Sequence, residues 1–114
     1  PRVVFFDVGQ ADAALVQTRD MSWLIDSGSG PENGSGGTTL LRALRAEGVD
    51  RLDVLVITHG DLDHRGGALR LLSAVYVGEL WLPALAARAP AWARQIAAHG
   101  DLARNLVKFC SSKL

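Results

Sequence analysis

The chain has 114 residues, 48% of them hydrophobic and 21% charged, with twelve basic residues balanced by twelve acidic ones and a single cysteine, Cys110. This is ordinary globular usage for one core and leaves no room for a second domain; it excludes an internal disulfide and any apolar run near the roughly 20 residues that span a bilayer. The neutral balance argues against nucleic-acid binding by overall charge, while leaving open a local basic patch.

The chain opens at Pro1 without an initiator methionine and enters Val3-Val4-Phe5-Phe6 almost at once, so we expect a segment of a longer protein. Residues 2–8, 12–18 and 22–26 read as three strands of an antiparallel meander, joined by Gly9-Gln10 and by Arg19-Asp20-Met21. Residues 27–37, with five glycines and Pro31, read as a loop. Thr38 or Thr39 can cap the next helix, in which Leu40, Leu41 and Leu44 form an apolar stripe and Gly48 supplies the stop. Residues 52–58 form a buried strand, residues 67–74 a helix, and residues 76–82 a strand ended by Pro83. A further helix starts near Pro90 and buries Trp92 with Ile96. Beyond it Leu102, Leu106 and Val107 have helical spacing, and residues 110–114 read as a frayed end. Trp23, Trp81 and Trp92 fall on apolar patterns that place them in the core.

Between the buried strand and its helix lies the segment Thr58-His59-Gly60-Asp61-Leu62-Asp63-His64-Arg65-Gly66-Gly67. It puts four potential metal ligands, His59, Asp61, Asp63 and His64, within six residues at the end of an apolar strand. Side chains at those offsets can converge when a chain curls out of a strand, and open α/β sheets hold ligands at that end. Two imidazoles and two carboxylates are donors for Zn²⁺, Mn²⁺ or Fe²⁺. Any one of these residues alone reads more simply as a turn, a helix cap or an exposed polar group. The combination at fixed offsets favours the metal. His99, beside Gly100, reads as an ordinary residue in a last helical turn and not as a ligand.

The loop resembles the His-x-His-x-Asp-His signature of the metallo-β-lactamase superfamily, with Asp61 where most members have the second histidine. The variant with Asp is similar to the soluble domain of ComEC-type competence proteins, which take up DNA. Three further stretches carry that resemblance: Phe5-Phe6-Asp7-Val8-Gly9-Gln10-Ala11-Asp12-Ala13, Trp23-Leu24-Ile25-Asp26-Ser27-Gly28, and Gly48 to Leu55 leading into the loop. Ala11 departs from the pattern, standing where that family has glycine. The similarity covers residues 1 to about 100.

The resemblance implies an α/β fold, the N-terminal half of a metallo-β-lactamase-like αββα sandwich, with antiparallel strands followed by alternating helices and strands. It implies two divalent ions, Mn²⁺ or Zn²⁺, in the full domain. His59 and Asp61 would serve one ion; Asp63, also the catalytic carboxylate, would serve the other with His64. Replacing an imidazole by Asp61 hardens the first site and should favour Mn²⁺ or Mg²⁺ over Zn²⁺. Asp26 would brace the loop through hydrogen bonds, a reading compatible with a simple strand-end turn. Asp7 and Asp12 lie near the site by position, though turn chemistry explains them equally well. Arg65 and Arg70 could meet a phosphate or could be solvated surface residues.

The activity implied is that of a metal-dependent nuclease of a DNA-uptake channel, cleaving the non-transported strand. Its partners would be single- or double-stranded DNA and the membrane channel of the same parent chain in the bacterial inner membrane. The domain itself should be soluble. The 114-residue segment alone is expected to be inactive, with its ions absent or partly bound, and to pair with another copy through an exposed sheet edge left by a missing half. The alternatives are a metallohydrolase of a small ester, lactam or thioester, and a non-catalytic half-domain.

Overall fold

The structure, a computed structural model, describes residues 1–6, 13–27, 38–58, 68–84, 91–102 and 106–111. Six strands form one sheet in the order of the sequence. The first three, β1 (Arg2–Phe5), β2 (Ala14–Gln17) and β3 (Ser22–Ile25), pair antiparallel as the alternating patterns predict. The turn between β2 and β3 is closed by Thr18 N donating to Met21 O at 2.9 Å and by Met21 N donating to the Thr18 hydroxyl at 3.2 Å.

From β3 onward the sheet is parallel, so each new strand needs a helical crossover. The first crossover is α1 (Thr38–Ala46), whose Leu40, Leu41 and Leu44 are buried as their spacing requires. Gly48 ends it with φ +77°, a left-handed conformation that glycine adopts without steric penalty. Gly48 N donates to Arg45 O at 3.0 Å and Val49 N to Leu44 O at 2.9 Å, which satisfies two orphan carbonyls of the last turn in a Schellman arrangement. Then come β4 (Arg51–Val56), α2 (Ala68–Ala74), β5 (Tyr76–Ala84), α3 (Ala91–Leu102) and β6 (Leu106–Ser111). Where β5 passes β4, a Cβ on Gly78 would stand 3.0 Å from Asp53 O, so a larger residue there would push the two strands apart.

The two faces of the sheet differ. On one, the cross-strand row Val4, Leu15, Leu24, Leu55, Leu80 and Val107 follows directly from the register. The four leucines of that row are fully buried and join one core with Leu40 and Leu44 of α1, Leu71 of α2 and Ile96 of α3. Each such leucine contributes about 1.5–3 kcal/mol. The other face carries Val3, Phe5, Trp23, Val56 and Trp81 in alternate positions. There Phe5 is 82% exposed and Val3 54%, and Trp23 meets Trp81 edge to face at 5.1 Å. At the β5–β6 side of that face Lys108 Nζ lies 2.7 Å from Glu79 Oε1. The ammonium, followed by the Trp81 indole N–H, holds the Glu79 carboxyl below the usual carboxylate range.

Three expectations are corrected. The tail is not a frayed helix: residues 106–111 are a strand paired parallel to β5, from Glu79↔Leu106 to Ala84↔Ser111. The apparent helical spacing joined Leu102, at the end of α3, to Leu106 and Val107, at the start of β6. Pro83 does not end β5. Trp81 O accepts from Ile57 N on the β4 side, where Pro83 would be the next donor; lacking an N–H it ends the β4 ladder there, while β6 on the other side carries the strand on through Leu82↔Phe109 to Ala84↔Ser111. Trp23 and Trp81 are half-buried on the face away from the helices, because their neighbours Leu24, Leu80 and Leu82 take the core positions.

Candidate functional site

Of the predicted site residues, Asp26 is described, and it lies at one end of the sheet, where the parallel strands β3 and β4 both finish. β3 runs into Asp26, which is 5% exposed and has φ +64°, a conformation that aspartate and asparagine tolerate better than other residues with a side chain. Its backbone N donates to Val56 O at 2.7 Å, prolonging the β3–β4 ladder by one bond. Its carboxylate turns to β4. Oδ1 accepts the Thr58 backbone N–H at 2.7 Å, and the Thr58 hydroxyl donates to the same carboxylate, 2.7 Å from Oδ2 and 3.0 Å from Oδ1. Hydrogen bonds to a charged acceptor are worth about 1.5–3 kcal/mol each.

On the opposite side of β4, Ile57 N donates to Trp81 O at 3.0 Å. The end of β4 is therefore held from both neighbours, by an aspartate on the β3 side and by a carbonyl of β5. Thr58 is the last residue before His59, so whatever loop follows starts from a fixed root. The Asp26 carboxylate thus reaches across 32 residues of chain to Thr58.

His59, Asp61, Asp63, His64 and Arg65 lie outside the described residues, as do Asp7 and Asp12. Among the described residues no group of three or more His, Cys, Asp or Glu side chains is placed to hold a metal ion. Arg70 falls in the first turn of α2, at the same end of the sheet. His99 lies in α3, and that helix continues through Gly100 to Leu102, so Gly100 is not its stop. Sequence reasoning gave Thr58 no role. The signal for it was its place as the first polar residue after the apolar run Val54-Leu55-Val56-Ile57, where a hydroxyl and a free N–H meet a buried carboxylate. The left-handed backbone at Asp26 was also missed, although Asp followed by Ser27-Gly28 is a sequence that permits it.

The donor set of the loop, two imidazoles and two carboxylates, fits a pair of divalent ions of the first transition row or Mg²⁺. Four donors from one short loop cannot complete two such sites, so further ligands must come from elsewhere.

A family model described as the metallo-beta-lactamase superfamily matches residues 6–105. Among curated proteins, the chain is 40% identical over 65 residues to the competence protein ComA of Neisseria gonorrhoeae, covering 57% of this chain and 9% of that protein. It is 38% identical over 78 residues to recombination protein 2 of Haemophilus influenzae, covering 68% of this chain and 10% of that protein. Thus it spans about a tenth of the length of these relatives. Among solved structures, a crystal structure of a diphosphatase from the PhnP family superposes with a TM-score of 0.53 at 18% identity, over 90% of this chain and 37% of that one. That likeness concerns the fold: the α/β sheet with its crossover helices.

Proposed function

The chain belongs to the metallo-beta-lactamase superfamily, whose members are mostly metal-dependent hydrolases, and on that premise we propose that it is part of a nuclease domain acting in DNA uptake. The similarity to a competence protein and a recombination protein supports DNA as the substrate, and the neighbouring diphosphatase keeps hydrolysis at phosphorus within the reach of the fold. The observation that carries the reading is the clamp of Asp26 on Thr58, which roots a loop bearing His59, Asp61, Asp63 and His64.

In this reading His59 and Asp61 hold one divalent ion, and Asp63 and His64 hold the second. Bound ions supply Lewis-acid activation of water and neutralise charge on a phosphodiester. The chain's own residues do the positioning. The Asp26 carboxylate fixes Thr58, and Thr58 fixes the departure of the loop, so the imidazole of His59 is presented from a rigid strand end. Asp61 adds negative charge and a hard oxygen donor, which favours Mn²⁺ over Zn²⁺. The 114-residue chain alone is inactive in this account, because two protein donors per ion fall short of the three that a catalytic zinc site usually keeps. In this reading the parent protein belongs to the bacterial inner membrane; among the described residues no helix is long and apolar enough to cross a bilayer.

The test uses the complete parent domain supplied with Mn²⁺ and a single-stranded oligonucleotide. We expect cleavage that is lost in His59→Ala and restored less well by Zn²⁺ than by Mn²⁺. Hydrolysis of small esters or thioesters with no cleavage of DNA would contradict the nuclease reading and leave a different metallohydrolase in its place.

A further inference from the structure

Arginine is the side chain best suited to hold a phosphate in a fixed orientation, because its planar guanidinium offers paired donors. Among the described residues the arginines fall into two groups. Arg2, Arg19, Arg42, Arg45, Arg51 and Arg94 are exposed, and two of them are partnered: Arg2 by Gln17 and Glu47, Arg51 by Asp53 and the Tyr76 ring. Arg70 is different. It is half-buried, and its Nε is buried without a hydrogen-bond partner among the described residues.

The position of Arg70 gives that orphan donor a meaning. It sits in the first turn of α2, the helix that carries the chain from the end of β4 back to the start of β5. The first turn of such a crossover lies at the end of the sheet where β4 stops, which is the end that holds Asp26 and Thr58. Ala68, Leu71 and Leu72 of the same helix are buried, whereas Arg70 as a whole is half-buried, with its Nε shielded. It is also the sole charged residue of α2. A buried donor without an acceptor is rare; Arg70 is only half-buried, so an anion would meet the guanidinium from its accessible side and not at Nε. With zero net charge on the whole chain, attraction for a polyanion has to come from single placed cations of this kind.

We propose that Arg70 binds a backbone phosphate of the nucleic-acid strand at the mouth of the site, as a substrate-positioning residue one turn into the helix that follows the metal loop. This rests on the nuclease reading above. Arg70 sets where the strand lies and leaves the chemistry to the loop, so its loss raises KM and leaves kcat nearly unchanged.

The experiment measures binding of a fluorescent single-stranded oligonucleotide to the complete, Mn²⁺-loaded parent domain across a range of salt. The slope of log K against log salt should fall by about 0.7 in Arg70→Gln, the loss of one phosphate contact to a single strand. Arg70→Lys should keep the slope, with metal content and Tm unchanged in both variants. Should Arg70→Gln fail to fold, Arg70→Met, which keeps the apolar stem, is expected to show the same loss of slope. An unaltered slope in a folded, active Arg70→Gln protein would overturn the proposal while the nuclease reading stands. Reduced bound metal in Arg70→Gln would also overturn it, because the guanidinium would then be serving the carboxylates of the loop. A wild-type domain that neither binds nor cleaves the oligonucleotide would instead bring down the nuclease reading.

Discussion

Two aspartates tie β3 to β4, one at each end of the strand pair, and both do so by accepting a backbone N–H of the other strand at 2.7 Å. At the far end Asp53 of β4 takes the N–H of Ser22, with Arg51 at 3.5 Å and solvent close by. At the site end Asp26 takes the N–H and the hydroxyl of Thr58, is almost wholly buried, and holds a left-handed backbone. The bond type is the same; the expense in desolvation and backbone conformation is not. Strand pairing alone does not require the costlier version, since Asp53 achieves it without burial. In the function proposed above, the extra constraint at Asp26 would give the segment that begins at His59 a fixed starting point.

The comparison can be broken most decisively at the loop itself. In the complete domain Asp63→Asn is expected to abolish hydrolysis and reduce bound metal while leaving the far end of the sheet intact, as read by turnover, metal analysis and an unchanged circular dichroism spectrum. Next in size is Asp26→Asn, which tolerates the left-handed backbone but loses the charge. It should lower metal affinity or kcat/KM by about 10–100-fold and stability by about 1–3 kcal/mol, measured by metal titration and urea unfolding.

The backbone contribution can be isolated at Gly48, where φ is +77° and a Cβ would meet nothing within 4 Å. Gly48→Ala should therefore cost about 1–2 kcal/mol with no change in activity, giving the penalty of left-handed backbone away from the site. Asp53→Asn should cost about 1 kcal/mol or less and leave turnover unaltered. Equal losses of activity in Asp53→Asn and Asp26→Asn would erase the distinction between the two ends.

The smallest effect concerns Glu79, on the face of the sheet opposite the leucine row, whose carboxyl is held low by Lys108 and Trp81. Because its pKa is depressed in the folded state, its contribution is present above the ordinary carboxylate pKa and is lost as pH falls through the lowered folded value. Urea midpoints compared below pH 5 should fall slightly more steeply in the wild type than in Glu79→Gln.

What could be read from the sequence follows from how local each signal is. The stripe Leu40, Leu41 and Leu44 with its Gly48 stop, and the apolar run of β4, state their structure within a few residues, and both are found as expected. β6 could not be read this way, because its backbone is satisfied by β5, far back in the chain, and its first residues continue the spacing of a helix. The tryptophans announce apolar positions without saying which face they occupy; Leu24, Leu80 and Leu82 decide that. The sequence singled out Asp26 and the segment after Thr58 as candidates, but Thr58, which Asp26 holds, lies 32 residues away and the backbone conformation of Asp26 is a tertiary outcome. Pro83 misled because its missing N–H costs β5 the bond on the β4 side only, and the later strand β6 keeps the other side paired.

The most direct test is a manganese anomalous map of the complete domain in a crystal. Two peaks about 3.5–4 Å apart, enclosed by His59, Asp61, Asp63 and His64 with Thr58 still bonded to Asp26, is the predicted result. Those four side chains turned into solvent with no anomalous signal between them, in an enzyme that still cleaves its substrate, would contradict the account.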